Sequence, residues 1–336
     1  MAGRNQCALR SLSDDEASAL APQMAYESHA LHHPERDWPQ TNCYVDLWIE
    51  LLASRGLDPH AMLGFTVAQD FEGDQFTFFK PRIADLEQLY GVRLEELSLY
   101  DRLDAQIERQ VARGRVVLVE VDGHHLPDTR GVTYRIDHSK TTIGIDAIDL
   151  RARRLDYFHN DGFFSLDGED FDAIFGLAGA KREAAELFPY AEFVRFDRAE
   201  ARHDLRRMAE ELLVEHFARR PAKNPLRAFS AELPALWETL LARPPCFFHS
   251  LAFNSFRQIG ANFELLGSHL DWLRPNGSLK AESDACKRLS SGAKALQFQA
   301  ARASSRKRVL EAGPALDELA RVYDALIDGL AKRLAR

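Results

Sequence analysis

Cysteine is scarce in this chain. Only Cys7, Cys43, Cys246 and Cys286 occur, far apart and without a CxxC pair. That excludes a zinc knuckle or a disulfide framework as the organising device and makes a reducing, cytoplasmic compartment the simplest expectation. Positive charge is also in deficit: 43 Lys and Arg against 51 Asp and Glu leave a formal net charge of -8. A general nucleic-acid binder needs a basic excess for its phosphate contacts, so no nucleic-acid partner is expected. Nowhere do about eighteen apolar residues run together, and Met1 to Asp15 contains no apolar h-region, so neither a membrane span nor a secretion signal is read. No internal repeat and no low-complexity segment is found.

What the chain does have is enough apolar material to fold. Hydrophobic residues make up 46% and aromatics 10% of 336 positions, which suits one domain plus a substantial second one. The reading divides into a polar leader (1–37), a mixed core (38–197) and a helical bundle (198–336). In the leader, His32-His33 reads as a surface pair, because adjacent histidines point apart and no third ligand stands near.

The chain is organised around Trp38-Pro39-Gln40-Thr41-Asn42-Cys43-Tyr44-Val45-Asp46-Leu47-Trp48-Ile49-Glu50-Leu51-Leu52. Pro39 bars helix before it, and Thr41 and Asn42 are residues that cap a first turn, which places Cys43 at or beside the first helical position. Val45, Trp48, Ile49 and Leu52 then recur at helical spacing as a buried stripe. A thiol at that end faces the positive pole and the free amides of the helix, which favour thiolate, the attacking form.

The next segments also read as helical: Ile83 to Tyr90 closed by Gly91, and Tyr100 to Arg113 closed by Gly114, after an aromatic stretch from Phe65 to Phe79. From Val116 the pattern turns to strand. Val116–Val121, Tyr134–His138, Thr141–Ile148, Arg154–His159 and Phe193–Phe196 are the candidates, with a polar loop from Asp122 to Gly131 that suits the rim of a site. Ser165 to Phe175 reads as a turn into a short helix. Beyond Asp197 five helical runs follow, separated by Pro and Gly. The fold class expected is therefore α+β, with a helix bearing Cys packed on an antiparallel sheet bearing His, followed by an all-helical domain. A cysteine nucleophile needs a base and an orienting group. His138 is the candidate base, and the orienter would come from Asp156 to Asp161.

At these residues the chain resembles a bacterial family catalogued as a domain of unknown function, whose pattern contains TNCYVDLWIELL, DFEGDQFTFFKP, LYGV, EVD followed by LPDT, HSKTTI, YFHN, RQIGANFELL and LDWL. That family is distantly similar to butirosin biosynthesis protein H and to bacteriocin-processing cysteine peptidases, which share a papain-like core. It also tends to be encoded near ligases that load amino acids onto carrier proteins. The resemblance implies Cys43 as nucleophile, His138 as general base and acid and Asn160 as orienter. Gln40 and Asn42 would share the oxyanion role with the Cys43 amide, and Asp156 and Lys140 would support them. It implies transfer of an acyl or aminoacyl group from a carrier-protein phosphopantetheine thioester to a small-molecule or peptide amine, or to a hydroxyl. No metal and no cofactor of the protein's own is called for. A cytosolic cysteine peptidase or amidase, and a non-catalytic partner of the carrier protein or ligase, are the alternatives. The basic run Arg302, Arg306, Lys307 and Arg308 is the expected receiver of an acidic carrier.

Overall fold

The computed structural model describes residues 26–177 and 188–334; Cys7 and positions 1–25 of the leader lie outside them. Helix α1 (Cys43–Ser54) begins where its cap dictates. Asn42 is extended, and its Oδ1 accepts from the amides of Tyr44 and Val45 at 3.2 and 3.0 Å. Val45, Trp48, Ile49 and Leu52 are completely buried, as their spacing requires. Asp58 caps a 3-10 segment, Pro59–Ala68. The aromatic stretch that follows is core: Phe71 and Phe76 face each other across a single bridge and pack on Phe229 at 5.5 and 5.3 Å. Helix α2 (Ile83–Tyr90) ends at Gly91, whose left-handed φ of 70° and close approach to the Arg198 carbonyl admit only glycine comfortably.

Strand β1 (Arg93–Glu96) and helix α3 (Leu103–Val111) precede the central strands β2 (Val116–Asp122), β3 (Lys140–Asp149), β4 (Arg154–His159) and β5 (Gly162–Asp167). Helix α4 (Gly168–Ile174) and strand β6 (Ala191–Arg195) complete this half. Among the described residues the sheet has six strands in the order β1-β6-β2-β3-β4-β5, and the pairs are antiparallel. Alternation sorts its faces. Val117, Val119, Ile143, Ile145 and Tyr157 form a small core with α3 and α4, whereas Val116, Leu118 and Phe158 join the main core under α1. Gly144 lets α1 lie close, since a Cβ there would stand 3.1 Å from Leu47 and 3.2 Å from Leu118.

Three expectations need correction. Tyr134–His138 is not a strand: Thr133 Oγ1 donates back to Gly123 O at 3.2 Å, Arg135 has a left-handed φ of 58°, and the strand begins at Lys140. The run Ser165 to Phe175 starts inside β5 rather than in a turn, and β1 was not legible, because its Arg-Leu-Glu-Glu sequence carries little strand character. His32 is buried, not a surface residue. Its Nδ1 lies 2.6 Å from Pro39 O and its Nε2 3.3 Å from Glu50 Oε1.

The C-terminal half is helical: α5 (Leu205–Ala218), α6 (Pro225–Leu241), α7 (Phe247–Ala252), α8 (Gln258–Leu273), α9 (Lys280–Ser305) and α10 (Gly313–Leu334). Between α7 and α8 the helix widens into a π-turn, Phe253–Arg257. This half does not stand apart. One continuous apolar cluster runs from Leu47, Leu51 and Leu63 to Leu213, Leu266 and Leu289. Gly260 marks how tightly the halves meet, since a Cβ there would fall 2.3 Å from the Trp38 indole.

Candidate active site

Cys43 is half-buried at the first position of α1, and its side chain lines a cavity of about 120 Å³ between the helix end and the sheet. The sheet contributes Leu118 and Glu120 from β2, Lys140 and Thr142 from β3 and Glu192 from β6; Tyr44, Phe78, Lys80 and Tyr190 close the rest. Lys140 Nζ pairs with Glu120 Oε1 at 2.7 Å. Tyr44 and Tyr190 both donate to Glu192, at 3.1 and 2.7 Å. Burial, and then the Glu192 charge, push the Tyr44 phenol well above its ordinary range.

His138 lies in an adjoining cleft, which shares Glu120 and Lys140 with the Cys43 cavity. Its Nδ1 is 2.5 Å from Asp122 Oδ2, and its ring stacks on His124 at 4.4 Å between centroids. The hydrogen bond to Asp122, and then that carboxylate's charge, raise His138 above the usual histidine value. Asp122 is pushed up by partial burial but pulled further down by His138 and by the amides of His124 and Ser139, and ends below the usual carboxylate range. Among the described residues no histidine nitrogen hydrogen-bonds Cys43 Sγ; the Glu120–Lys140 pair lines both clefts where they meet.

The other sequence-named residues fall as follows. Asn160 sits in the turn between β4 and β5 with a left-handed φ of 47° and makes no hydrogen bond to His138 among the described residues. Asn42 uses both ends of its amide, Oδ1 for the helix cap and Nδ2 on Phe79 O at 3.0 Å. Gln40 Nε2 reaches Asp161 Oδ1 at 3.0 Å. Asp156 is held by Arg154 and Ser165. The group bonded to His138 Nδ1 is Asp122, which sequence reasoning placed only in a polar loop. Asp122 pairs across the ladder with Lys140, two residues beyond His138, a register that no local pattern announces. His159, next to Asn160, faces the opposite side of the sheet, buried between Asp128 at 2.5 Å and Thr141 at 2.8 Å.

The N-terminal approach to Cys43 is held from three directions. Asp46 accepts from Thr41 N at 2.7 Å and from Thr41 Oγ1 at 2.5 Å. Asn42 ties to Phe79 O. Arg257, from the π-turn of the helical half, donates to the Gln40 and Thr41 carbonyls at 2.6 and 2.9 Å. Such π-turns recur at functional sites.

Among the described residues no group of three or more His, Cys, Asp or Glu is placed to hold a metal ion. None of the described helices is long and apolar enough to cross a membrane. Fold and site define an α+β protein with a helix-start cysteine against an antiparallel sheet and a helical C-terminal region. The chain belongs to the DUF1839 family: residues 27–196 match the model of the DUF1839 N-terminal domain and residues 202–332 that of the DUF1839 C-terminal domain. No curated protein matches it.

Proposed function

We propose that this protein is a cysteine-dependent acyl or aminoacyl transferase that draws on the phosphopantetheine thioester of a carrier protein, with a papain-like pairing of nucleophile and base. The observation that carries this reading is the position of Cys43, at the start of a buried helix and in the wall of a cavity that adjoins the Asp122–His138 pair. The family resemblance supports it.

In this reading the Cys43 thiolate attacks the thioester carbonyl, and the oxyanion that forms faces the Cys43 backbone amide, since Asn42 holds those of Tyr44 and Val45. The old carbon–sulfur bond breaks, and the pantetheine sulfur takes a proton from His138. The two clefts share Glu120 and Lys140, and this reading has the leaving sulfur pass that pair to reach His138. An amine then attacks the acyl-enzyme, gives its proton to His138 and releases the Cys43 thiolate. A hydroxyl acceptor follows the same course, and phosphopantetheine arrives with the partner.

One observation favours a second reading, in which the core is a non-catalytic docking partner of a carrier protein or ligase: Cys43 Sγ has no histidine hydrogen bond among the described residues. Incubation with an acyl-loaded carrier, followed by intact mass and peptide mapping, decides between them. Acyl mass on Cys43, appearing more slowly in His138→Ala, supports transfer. Undiminished transfer by Cys43→Ala refutes it. A matched peptide or amide substrate in the same assay tests the peptidase alternative.

A further inference from the structure

Glu192 differs from the other buried carboxylates in what neutralises it. Glu50, Asp85, Asp104 and Glu282 each have a basic side chain at ion-pair distance, and Asp46 has the Arg257 charge close by as well as two donors from Thr41. Glu192 is 5% exposed, yet among the described residues its carboxylate is met only by two phenols, Tyr44 and Tyr190. Lys80, which also lines the cavity, lies over the Tyr44 ring at 5.4 Å and forms no ion pair with the carboxylate among the described residues. A buried carboxylate held by neutral donors alone is incompletely compensated, and it is best satisfied by a cation that arrives with a ligand. Glu192 lines the same cavity as Cys43, and Tyr44, which holds it, is the next residue in the chain.

We infer that Glu192 receives the α-ammonium group of an aminoacyl thioester, so that the Cys43 cavity selects aminoacyl groups over simple acyl groups. This rests on the acyl-enzyme reading of Cys43 and specifies its substrate class. Position supports the α group: Glu192 lines the same small cavity, about 120 Å³, as Cys43, so the cation it meets belongs close to the carbonyl. An ammonium one carbon from the carbonyl fits that space, with the carbonyl at Cys43 and the charge toward β6. Tyr44 and Tyr190 fix the carboxylate oxygens in place, and burial followed by Glu192 keeps both phenols protonated as donors.

The test compares alanyl-, N-acetylalanyl- and propionyl-pantetheine as donors, with the acyl-enzyme on Cys43 read by intact mass. The wild-type protein should react with the alanyl donor at least about tenfold faster than with the other two, the worth of one charge-assisted hydrogen bond. Glu192→Gln, which keeps one oxygen acceptor and turns an amide donor toward the other phenol, should lower the alanyl rate to that of the other two donors. Equal wild-type rates for the three donors overturn the inference without any variant. So does a Glu192→Gln protein, folded by its melting curve, that slows all donors alike, which would assign Glu192 to the fold. No acyl-enzyme from any donor, on a protein whose Cys43 still alkylates with iodoacetamide, defeats the acyl-enzyme reading itself, and the inference falls with it.

Discussion

Arg257 donates from Nε to the carbonyl oxygen of Thr41 at 2.9 Å, across 216 residues of sequence. Through this contact and its companion on Gln40, the helical half fixes the backbone that leads into the candidate nucleophile. Arg257 is half-buried, and desolvation lowers it from its ordinary value. Truncation would leave two carbonyls without their charged donor. Arg257→Ala should therefore cost about 1.5–3 kcal/mol, read as a lower urea midpoint at unchanged m-value. Cys43 acylation should slow beyond what the loss of folded protein explains, and Arg257→Lys should recover part of it. An acylation rate unchanged in folded Arg257→Ala would confine the residue to stability.

The Asp122–His138 pair has a defined pH signature. Asp122 raises His138, so its imidazolium persists to higher pH than in a free histidine. The linkage sign follows: whatever stability the pair adds is fully present below the unfolded histidine value and is lost as pH rises through the raised folded one. In Asp122→Asn the His138 titration, followed by NMR, should move to lower pH, and acyl transfer should fall by orders of magnitude because the ring loses its orienting acceptor. Asn160→Gly, which suits the left-handed turn, should leave both unchanged. If instead Asn160→Gly lost activity and Asp122→Asn kept it, the orienting role would pass to Asn160.

Among the cysteines of the described residues, acyl chemistry is expected on Cys43 alone. Cys286 is fully buried in α9, and burial, with Asp271 and Glu282 adding to it, drives its thiol far above the ordinary range. Cys246 is exposed but lies outside the cavity. Cys246→Ala and Cys286→Ser should keep transfer within about twofold, as conservative changes away from the chemistry do, whereas Cys43→Ala should abolish it. Acyl mass mapped to Cys246 or Cys286 would displace Cys43.

Carrier docking is expected at the turn after α9. Arg302, Arg306, Lys307 and Arg308 are all exposed there, and none has an ion pair among the described residues. Because the chain is acidic overall, this face is where an acidic carrier meets attraction rather than repulsion. Reversing two of these charges should raise KM for the carrier several-fold with little change in kcat, and the wild-type KM should climb with salt. KM unchanged across a salt series removes this face from consideration.

Gly260 offers a stability check on the joined halves. In Gly260→Ala the new methyl would collide with the Trp38 ring, so overpacking should cost about 1–3 kcal/mol or more and displace the segment that precedes Cys43. An alanine protein with wild-type melting and wild-type acylation would show that Trp38 yields freely.

Local rules determined a good deal from the sequence alone. Asn42 as cap, Cys43 at the first helical position, the stripe Val45, Trp48, Ile49 and Leu52, the stop at Gly91 and the helical runs after Asp197 are set by neighbours within a turn or two, so spacing reveals them. The α+β class follows from the same pattern. Pairings made through space were beyond its reach. Asp122 meets His138 because β2 and β3 run antiparallel in one particular register. Glu192 reaches the Cys43 cavity because β6, last in sequence, inserts between β1 and β2. Arg257 meets Thr41 because one core fuses two halves that composition reads as separate. Loop closure and burial across many residues decide such contacts, and no local propensity encodes them.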